Sequence, residues 1–369
     1  MKPRIIMNFA LIITLYSALT FYIGWNGWIW LHTAFGLQDK WIFGVILELI
    51  SFSYIIGHFL KGIPFFKVIG AYWFGLLQYA ILFLPLANLI ALVLIYLNLP
   101  TTTIVKWVGA FVLAAFIVLF LYGSFNAYSP VVRKYSLAIP KNAGKLTKLR
   151  IAMASDMHFG RLSGISHARR LVREVNALKP DLILMPGDII DDDPEPFIQK
   201  NFGDVMKDLS APLGVFGVLG NHEYYGGGIP RYLTEMNRIG ITILLDQVTN
   251  IADSFYLVGR KDKTDRDRMP IEDLLMNTEI NLPIIMMDHQ PAELKQAEKN
   301  HVDLLLSGHT HRGQMAPNHL ITKRMFEVDW GYLKKNQLHT IVSSGFGFWG
   351  PPLRIGSRSE IIQIDVTFV

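Results

Sequence analysis

The carboxyl-terminal part of this chain is organised around the stretch Pro186-Gly187-Asp188-Ile189-Ile190-Asp191. It follows the apolar run 182–185, so an apolar segment ends in a glycine and then a carboxylate. A strand that is buried on both faces of a parallel sheet has such a continuous apolar pattern. The carboxyl end of the strand then carries the acidic side chain to the rim of the sheet. We therefore predict that Asp188 is a functional carboxylate on that rim.

Four other apolar runs end in comparable polar clusters. The clusters are Asp156-Met157-His158 after 151–154, Gly220-Asn221-His222-Glu223 after 215–219, Asp288-His289 after 284–287, and Gly308-His309-Thr310-His311 after 304–306. In α/β sheets, ligands bind in the crevice at the carboxyl ends of the strands. The five clusters therefore predict a single site built from oxygen and imidazole donors.

Strands and helices alternate through this part of the chain, which predicts an α/β domain with a layered core. The predicted helices cover 166–178, 196–208 and 229–239, and further strands cover 241–245, 255–258, 302–306, 340–343 and 361–366. A polar segment, 128–148, precedes the domain and contains a short alternating stretch that predicts an edge strand at 134–139. We expect a membrane domain at 1–127, this linker, and a catalytic domain at 149–369.

The amino-terminal third is far more apolar than the rest, and the whole chain has a mean hydropathy of +0.30. Apolar runs occupy 9–31, 41–60, 68–97 and 107–123. Each is near the ~20 residues that a membrane-spanning helix needs. The pattern predicts an α-helical membrane domain of about four spans.

Lysines and arginines near the spans predict the orientation, because they are enriched on the cytoplasmic side. With four spans, they place both ends and the catalytic domain in the cytoplasm. A miscount of one helix would instead put that domain outside. Glu48 is an acid within the second run, where it is either hydrogen-bonded or protonated between helices, or a functional group.

Composition excludes several kinds of site. The chain has no cysteine, so disulfides, thiolate metal sites and cysteine nucleophiles are absent. A metal must be bound by oxygen and imidazole, a donor set that suits manganese, iron, zinc or nickel. The net charge of +5 comes mainly from a basic cluster after the last span, and no nucleic-acid-binding module is recognisable.

The ordered series of motifs resembles the signature of the calcineurin-like metallophosphoesterases. It comprises Asp156-x-His158, Gly187-Asp188-x-x-Asp191, Gly220-Asn221-His222-Glu223, His289 and Gly308-His309-Thr310-His311. The resemblance covers residue 149 to the end. Asp288-His289-Gln290-Pro291 and Phe348-Trp349-Gly350-Pro351-Pro352 look like the bacterial membrane-attached branch. That branch includes phosphodiesterases and is similar to enzymes that cleave the pyrophosphate of UDP-diacylglucosamine. The resemblance implies two β-sheets between helical layers.

The resemblance also implies a role for each motif residue. Asp156, His158, Asp188 and His311 would bind one divalent metal, and Asp188, Asn221, His289 and His309 would bind a second. A hydroxide between the metals would attack phosphorus, because coordination lowers the pKa of water from 15.7 towards ~7. His222 would donate a proton to the leaving oxygen or stabilise its charge, with Asp191 orienting the ring. Each histidine taken singly could equally be a packing residue.

Two positions depart from the family pattern. Arg312-Gly313-Gln314 follows the last histidine motif where relatives usually have Gly-Gly-Gln, and Ser344-Gly345 lacks an arginine that relatives often carry before the glycine. Arg312 could pair with a substrate phosphate or could point into solvent or towards a carboxylate. Arg354 is the other candidate for a phosphate contact.

The sequence therefore predicts a membrane-anchored, metal-dependent phosphohydrolase with two divalent metals, manganese being favoured. Its expected partners are the lipid bilayer and a phosphorylated small molecule or lipid-linked substrate. The alternatives are a metal-binding membrane scaffold, and a transporter that uses Glu48 and has a regulatory soluble domain.

Overall fold

The structure is a computed structural model that describes residues 3–59 and 64–369. It divides into two compact units. One unit comprises Met1–Tyr122 and Gly350–Pro352, and the other comprises Gly123–Trp349 and Leu353–Val369.

The first unit is helical. Its helices are α1 (Pro3–Phe35), α2 (Lys40–Ser51), α3 (Ser53–Phe59), α4 (Pro64–Tyr96) and α5 (Thr101–Tyr128), the last of which continues into the second unit. Among the described residues, three helical segments are long and apolar enough to cross a membrane: Met7–Phe35, Phe65–Tyr96 and Thr101–Tyr128. The predicted amino-terminal helical membrane domain is confirmed.

The predicted number of about four spans needs correction to three within the described residues. The apolar run 41–60 forms the two shorter helices α2 and α3, and its last residue lies outside the part that the structure describes. The break falls at Phe52, where φ is −92° and ψ is 3°. On either side of it, the hydroxyls of Ser51 and Ser53 donate hydrogen bonds to the carbonyls of Glu48 and Ile50, at 3.0 and 2.6 Å. Such bonds compete with the helical backbone ladder.

The second unit contains two six-stranded sheets. The strands are β1 (Val131–Ile139), β2 (Lys148–Met153), β3 (Leu182–Pro186), β4 (Val215–Val218), β5 (Thr242–Ile243), β6 (Gln247–Ile251), β7 (Phe255–Gly259), β8 (Ile284–Met287), β9 (Leu304–Ser307), β10 (Gly331–Lys335), β11 (Leu338–Val342) and β12 (Glu360–Phe368). The strand order is β1-β12-β2-β3-β4-β5 in the first sheet and β10-β11-β9-β8-β7-β6 in the second. Neighbours from β2 to β5 run parallel, as do β11, β9, β8 and β7.

Helices lie between the strands of the second unit along the chain. They are α6 (Ile165–Ala177), α7 (Pro194–Gln199), α8 (Phe202–Met206), α9 (Asn221–Tyr225), α10 (Ile229–Arg238), α11 (Ile271–Leu274), α12 (Leu294–Lys299) and α13 (His319–Met325), with a 3₁₀ helix at His311–Gly313. The predicted helix 196–208 is two helices, because Asn201 adopts a left-handed φ of 56° between them.

Three buried clusters show how the layers pack. Leu182 and Leu184 of β3 belong to the same buried cluster as Leu304 and Leu306 of β9, a core shared by both sheets. Ile183 points the other way and packs in a cluster that includes residues of α6, α8 and α10. A third cluster joins the outer face of the second sheet to α11 and α12. Because the central strands are buried on both faces, they appear in the sequence as uninterrupted apolar runs. The expected architecture of two sheets between helices is confirmed.

β12 lies between β1 and β2 in the first sheet. It pairs in parallel with β1, from Val131 opposite Glu360 onward, and antiparallel with β2. The alternating stretch expected at 134–139 therefore belongs to a nine-residue edge strand of this sheet. The proposed boundaries at residues 127 and 148 stay a prediction.

Candidate functional site

Five strand ends meet at one rim of the second unit. Asp156, Asp188 and Asn221 follow the parallel strands β2, β3 and β4 of the first sheet, and His289 and His309 follow β8 and β9 of the second. Backbone hydrogen bonds extend the pairing beyond the strands. The amide of Asp156 donates to the carbonyl of Gly187 at 3.1 Å, and that of Gly308 donates to His289 at 3.0 Å. The polar clusters are thus positioned by the sheets themselves.

One group of donors comprises Asp156, His158 and His311, whose ligand atoms all lie within 4.8 Å of one another. Nε2 of His158 lies 3.0 Å from Nε2 of His311, and the latter lies 3.6 Å from Oδ1 of Asp156. All three residues are buried. The predicted ligands of the first metal are therefore brought together.

The second group comprises Asp188, His289 and His309, again with ligand atoms within 4.8 Å. Asn221 joins it, because its Oδ1 lies 3.2 Å from Nε2 of His289 and 2.9 Å from Nδ1 of His309. The predicted ligands of the second metal also lie together.

Asp188 lies between the two groups. Its Oδ2 is 3.1 Å from Nε2 of His289 and 3.8 Å from Nε2 of His158. Its Oδ1 accepts a hydrogen bond from the backbone amide of His222 at 3.0 Å. A single carboxylate therefore reaches both donor groups, as the proposed sharing requires.

The electrostatics of the side chains suit cation binding. Burial lowers the pKa of His158 to about 3 and that of His309 to about 4. It also lowers the pKa of His311 well below its ordinary value. Burial raises the pKa of Asp188, but the neighbouring His289 and His158 outweigh it, so the net pKa is lowered. Burial lowers the pKa of His289, but the charges of Asp188 and Asp156 outweigh it, so the net pKa is raised. The neutral imidazoles of His158, His309 and His311 offer free lone pairs beside the ionised carboxylate.

This donor set fits two divalent cations. The two neutral imidazoles of His158 and His311 present their Nε2 atoms to each other at 3.0 Å, beside the buried carboxyl of Asp156. Carboxylate, amide and imidazole donors, with no thiolate, suit manganese, iron, zinc or nickel. Two cations that share a carboxylate match the two-metal arrangement of phosphate-cleaving enzymes.

His222 lies at the edge of both groups and contacts two acids. Its Nδ1 is 2.7 Å from Oδ1 of Asp192 and 3.9 Å from Oδ1 of Asp191. Burial lowers the pKa of His222, but the hydrogen bond to Asp192 and the charges of Asp188 and Asp191 raise it to a net value of about 9. The structure differs here from the sequence expectation, since Asp192 rather than Asp191 makes the close contact. The motif pointed to Asp191, whose orienting role stays a prediction.

Two motif glycines are required by close approach to the carboxylates. A Cβ on Gly220 would lie 2.2 Å from Oδ1 of Asp188, and a Cβ on Gly308 would lie 2.2 Å from Oδ2 of Asp156. Real Cβ atoms do not come so close to a heavy atom, so any side chain would displace the candidate ligands. Close packing against the carboxylates thus explains why these two motif positions are glycines.

Several site residues hold left-handed backbone conformations. The φ values are 51° at Asp156, 46° at His158, 52° at Asp188, 70° at His309, 49° at His311 and 50° at Arg312. Aspartate and histidine tolerate this region better than most residues, but each such residue still costs energy. Their concentration around one rim is typical of a functional site, where the surrounding fold maintains strain.

Glu223 is a site residue to which sequence reasoning gave no role. Its carboxylate accepts hydrogen bonds from the backbone amides of Asp188, Ile190 and Gly220, at 3.1, 3.0 and 2.7 Å. It therefore connects the loop after β3 to the loop after β4. Its place in the Gly220-Asn221-His222-Glu223 motif was the available signal.

The two arginines predicted to contact a phosphate occupy different environments. Arg312 is half-buried, and its guanidinium carbon lies 3.9 Å from the ring centroid of Trp330. Arg354 is fully buried, and its guanidinium donates to the carbonyl of Gly347 at 2.9 and 2.6 Å. Its Nη2 also lies 3.3 Å from Nδ1 of His311. The guanidinium of Arg354 therefore already has protein partners, so the geometry gives no support to its predicted phosphate contact. The phosphate contact of Arg312 stays a prediction.

Known proteins resemble this chain over the same region. The family model of calcineurin-like phosphoesterases matches residues 149–313. A protein of Helicobacter pylori J99 described as an uncharacterized metallophosphoesterase is 34% identical over 244 residues, covering 64% of this chain and 65% of the relative. An Aquifex aeolicus VF5 protein with the same description is 30% identical over 256 residues, covering 66% of this chain and 95% of the relative.

A zebrafish (Danio rerio) relative combines both parts by name. It is described as a transmembrane protein with metallophosphoesterase domain and is 32% identical over 264 residues. The match covers 67% of this chain and 60% of the relative. The chain thus spans less than two thirds of the Helicobacter and zebrafish proteins.

Proposed function

Because this chain belongs to the calcineurin-like phosphoesterase family, we propose that it is a metal-dependent phosphohydrolase that cleaves a phosphodiester or pyrophosphate bond. The observation that carries the proposal is the position of Asp188 between two groups of oxygen and imidazole donors. We propose manganese as the metal, with iron, zinc or nickel as alternatives of the same donor chemistry.

Each donor group would hold one cation. Asp156, His158, Asp188 and His311 would bind the first, and Asp188, Asn221, His289 and His309 would bind the second. When bound, divalent cations stabilise negative charge on a phosphoryl oxygen and lower the pKa of water from 15.7 towards ~7. Asp188 would be shared by the two groups, because its carboxylate lies near both His289 and His158. No nucleophilic side chain is needed.

His222 would serve as the proton donor to the leaving oxygen. Its Nδ1 faces Asp192, which leaves Nε2 as the nitrogen that can donate to a substrate. The net pKa of about 9 keeps the ring protonated near neutral pH. Asp192 would hold the ring in place, with Asp191 contributing charge.

We propose a lipid-linked or nucleotide-linked substrate, because membrane association confines enzyme and lipid to one surface. Three apolar helices and the zebrafish relative support that association. We also propose that the catalytic domain is cytoplasmic, now on the basis of three membrane crossings instead of four. Three crossings would put Lys106 at one membrane face and Lys40, Lys67, Arg133 and Lys134 at the other. The larger basic group adjoins the catalytic domain, and basic residues favour the cytoplasm.

The proposal is tested with purified full-length protein and manganese. The substrates are bis-p-nitrophenyl phosphate, UDP-diacylglucosamine and nucleotide pyrophosphates, and the variants are Asp188→Ala and His222→Ala. We expect Asp188→Ala to lose both bound metal and turnover. His222→Ala should retain metal and lose rate by about 10²- to 10⁴-fold, the usual contribution of a positioned acid or base. Equal metal loss in both variants would refute the assigned roles.

Metal content and turnover, together with a flux assay in liposomes, separate the alternative functions. A metal-binding scaffold would contain metal without turning over any of these substrates. A transporter would show flux in liposomes that depends on Glu48, which lies in α2, and Glu48→Gln would abolish that flux.

A further inference from the structure

Helix α13 is an exposed apolar and basic element of the second unit. Its sequence is His319-Leu320-Ile321-Thr322-Lys323-Arg324-Met325, and none of its residues is buried. Leu320, Ile321 and Met325 are 54%, 59% and 68% exposed. Three large exposed apolar side chains within seven residues form an apolar cluster on the surface of this domain, whereas singly scattered exposed apolar residues need no explanation.

The inward side of α13 is set by Thr322. Its hydroxyl donates a hydrogen bond to Oδ2 of Asp329 at 2.6 Å. At about 100° per residue, Leu320 and Arg324 lie on the side of the helix opposite Thr322. Ile321 and Met325 lie on one flank of the helix, about 100° and about 60° from Thr322, and Lys323 lies on the other flank. The outer face therefore combines apolar and cationic side chains.

α13 is connected to the candidate metal site through Asp329. The side chain of Asp329 accepts a hydrogen bond from Thr322. The backbone carbonyl of Asp329 accepts another from the hydroxyl of Thr310, at 2.5 Å. Thr310 lies between the candidate ligands His309 and His311. At the end of α13, the ring of Phe326 lies edge-on to that of His309, with centroids 5.9 Å apart. The exposed helix thus adjoins the rim of the site.

The charges on α13 indicate which partner it fits. Helices that lie in the interface of an anionic membrane carry exposed apolar side chains on one face and lysine or arginine on the adjoining polar face. Another exposed apolar pair of this domain, Met276 and Ile280, lies in a segment with Glu272, Asp273 and Glu279 instead. An anionic surface would repel that segment and attract α13.

We propose that α13 is an interfacial contact that binds the anionic lipid headgroup region of a membrane beside the catalytic site. Leu320, Ile321 and Met325 enter the boundary between headgroups and acyl chains, and Lys323 and Arg324 pair with lipid phosphates or carboxylates. The contact would present the rim at His309 to substrates carried in the bilayer. It goes beyond the proposed hydrolysis, since lipid contact can be measured without turnover.

The absence of cysteine from the sequence permits a direct test. Full-length protein is reconstituted in nanodiscs of phosphatidylcholine alone or with phosphatidylserine. A single environment-sensitive fluorophore is attached at Ile321→Cys or, as the matched control, at Met276→Cys, where the native side chain is 73% exposed. We expect the label at position 321 to shift to shorter wavelength and to be quenched by doxyl lipids when phosphatidylserine is present. The label at position 276 should show neither effect.

A charge-reversal variant isolates the electrostatic part. Lys323→Glu combined with Arg324→Glu should remove the doxyl quenching at position 321 while leaving turnover of soluble bis-p-nitrophenyl phosphate unchanged. A label that stays water-exposed in both lipids would overturn the proposal, as would quenching that does not depend on phosphatidylserine. A blue shift without doxyl quenching would show that protein, such as a second copy of this chain, covers the helix.

These outcomes are distinguishable from failure of the hydrolase proposal. Lipid quenching at position 321 in a protein that turns over no substrate would support the membrane contact and refute the hydrolase. Turnover without quenching would support the hydrolase and refute the membrane contact.

Discussion

Nδ1 of His222 lies 2.7 Å from Oδ1 of Asp192, while Oδ1 of the preceding aspartate, Asp191, lies 3.9 Å away. Only the shorter distance is a hydrogen bond. The second of three consecutive aspartates is therefore the one that hydrogen-bonds the ring of the candidate proton donor.

Asp192→Ala should lower kcat more than Asp191→Ala does. Removing the hydrogen-bonded partner frees the His222 ring, and loss of such an orienting group typically costs about 10- to 100-fold. Turnover of bis-p-nitrophenyl phosphate measures the effect, and metal content by mass spectrometry should be unchanged by Asp192→Ala. A larger loss in Asp191→Ala would return the orienting role to Asp191.

Gly220→Ala should lose bound metal and turnover together. The new methyl group would lie 2.2 Å from Oδ1 of Asp188, so the shared carboxylate must move. Gly164→Ala is the matched control, because the nearest atom to its Cβ, Oγ of Ser166, is 3.6 Å away. Titration of both variants with manganese gives the comparison. Unchanged metal affinity in Gly220→Ala would show that Asp188 is not a ligand.

Glu223→Gln should weaken metal binding by about 10- to 100-fold, as loss of a group that supports a ligand usually does. Three backbone amides donate to the carboxylate, and a carboxamide nitrogen cannot accept those bonds. The melting temperature should fall as well, since an unpaired buried donor costs about 1–3 kcal/mol. Glu174→Gln, on the surface of α6, is the control and should alter neither property. An unchanged Glu223→Gln protein would leave this residue without a role.

Arg354→Met should lower the melting temperature, because it leaves the carbonyl of Gly347 without its donors at a cost of about 1–3 kcal/mol. Arg173→Met, at an exposed position, should change stability by less than about 0.5 kcal/mol. Differential scanning fluorimetry compares the two variants. If Arg354→Met instead raised KM at unchanged melting temperature, Arg354 would contact substrate, as the sequence suggested.

The sequence was most informative where strands are buried on both faces. β2, β3, β4, β8 and β9 appear as apolar runs that end in polar clusters, so both the strands and the rim of the site could be predicted. The antiparallel partners β6 and β10 were missed. Their residues are partly exposed and polar, as in Gln247–Ile251, so no continuous apolar pattern marks them.

Local backbone breaks also escaped prediction. Phe52 ends α2, and Asn201 separates α7 from α8. The hydropathy pattern around these two residues does not mark a helix break. Contacts between segments that are distant in sequence could not be predicted either. Arg354 meets His311 across 43 residues of sequence, and only the folded chain brings them together.

The position of β12 has a consequence for biosynthesis. Since it separates β1 from β2, a nascent chain that has emerged only as far as the second sheet still has a gap in the first sheet. The rim that carries the candidate site is supported by that sheet, so prematurely terminated products should fail to bind metal even when every motif histidine has already been translated.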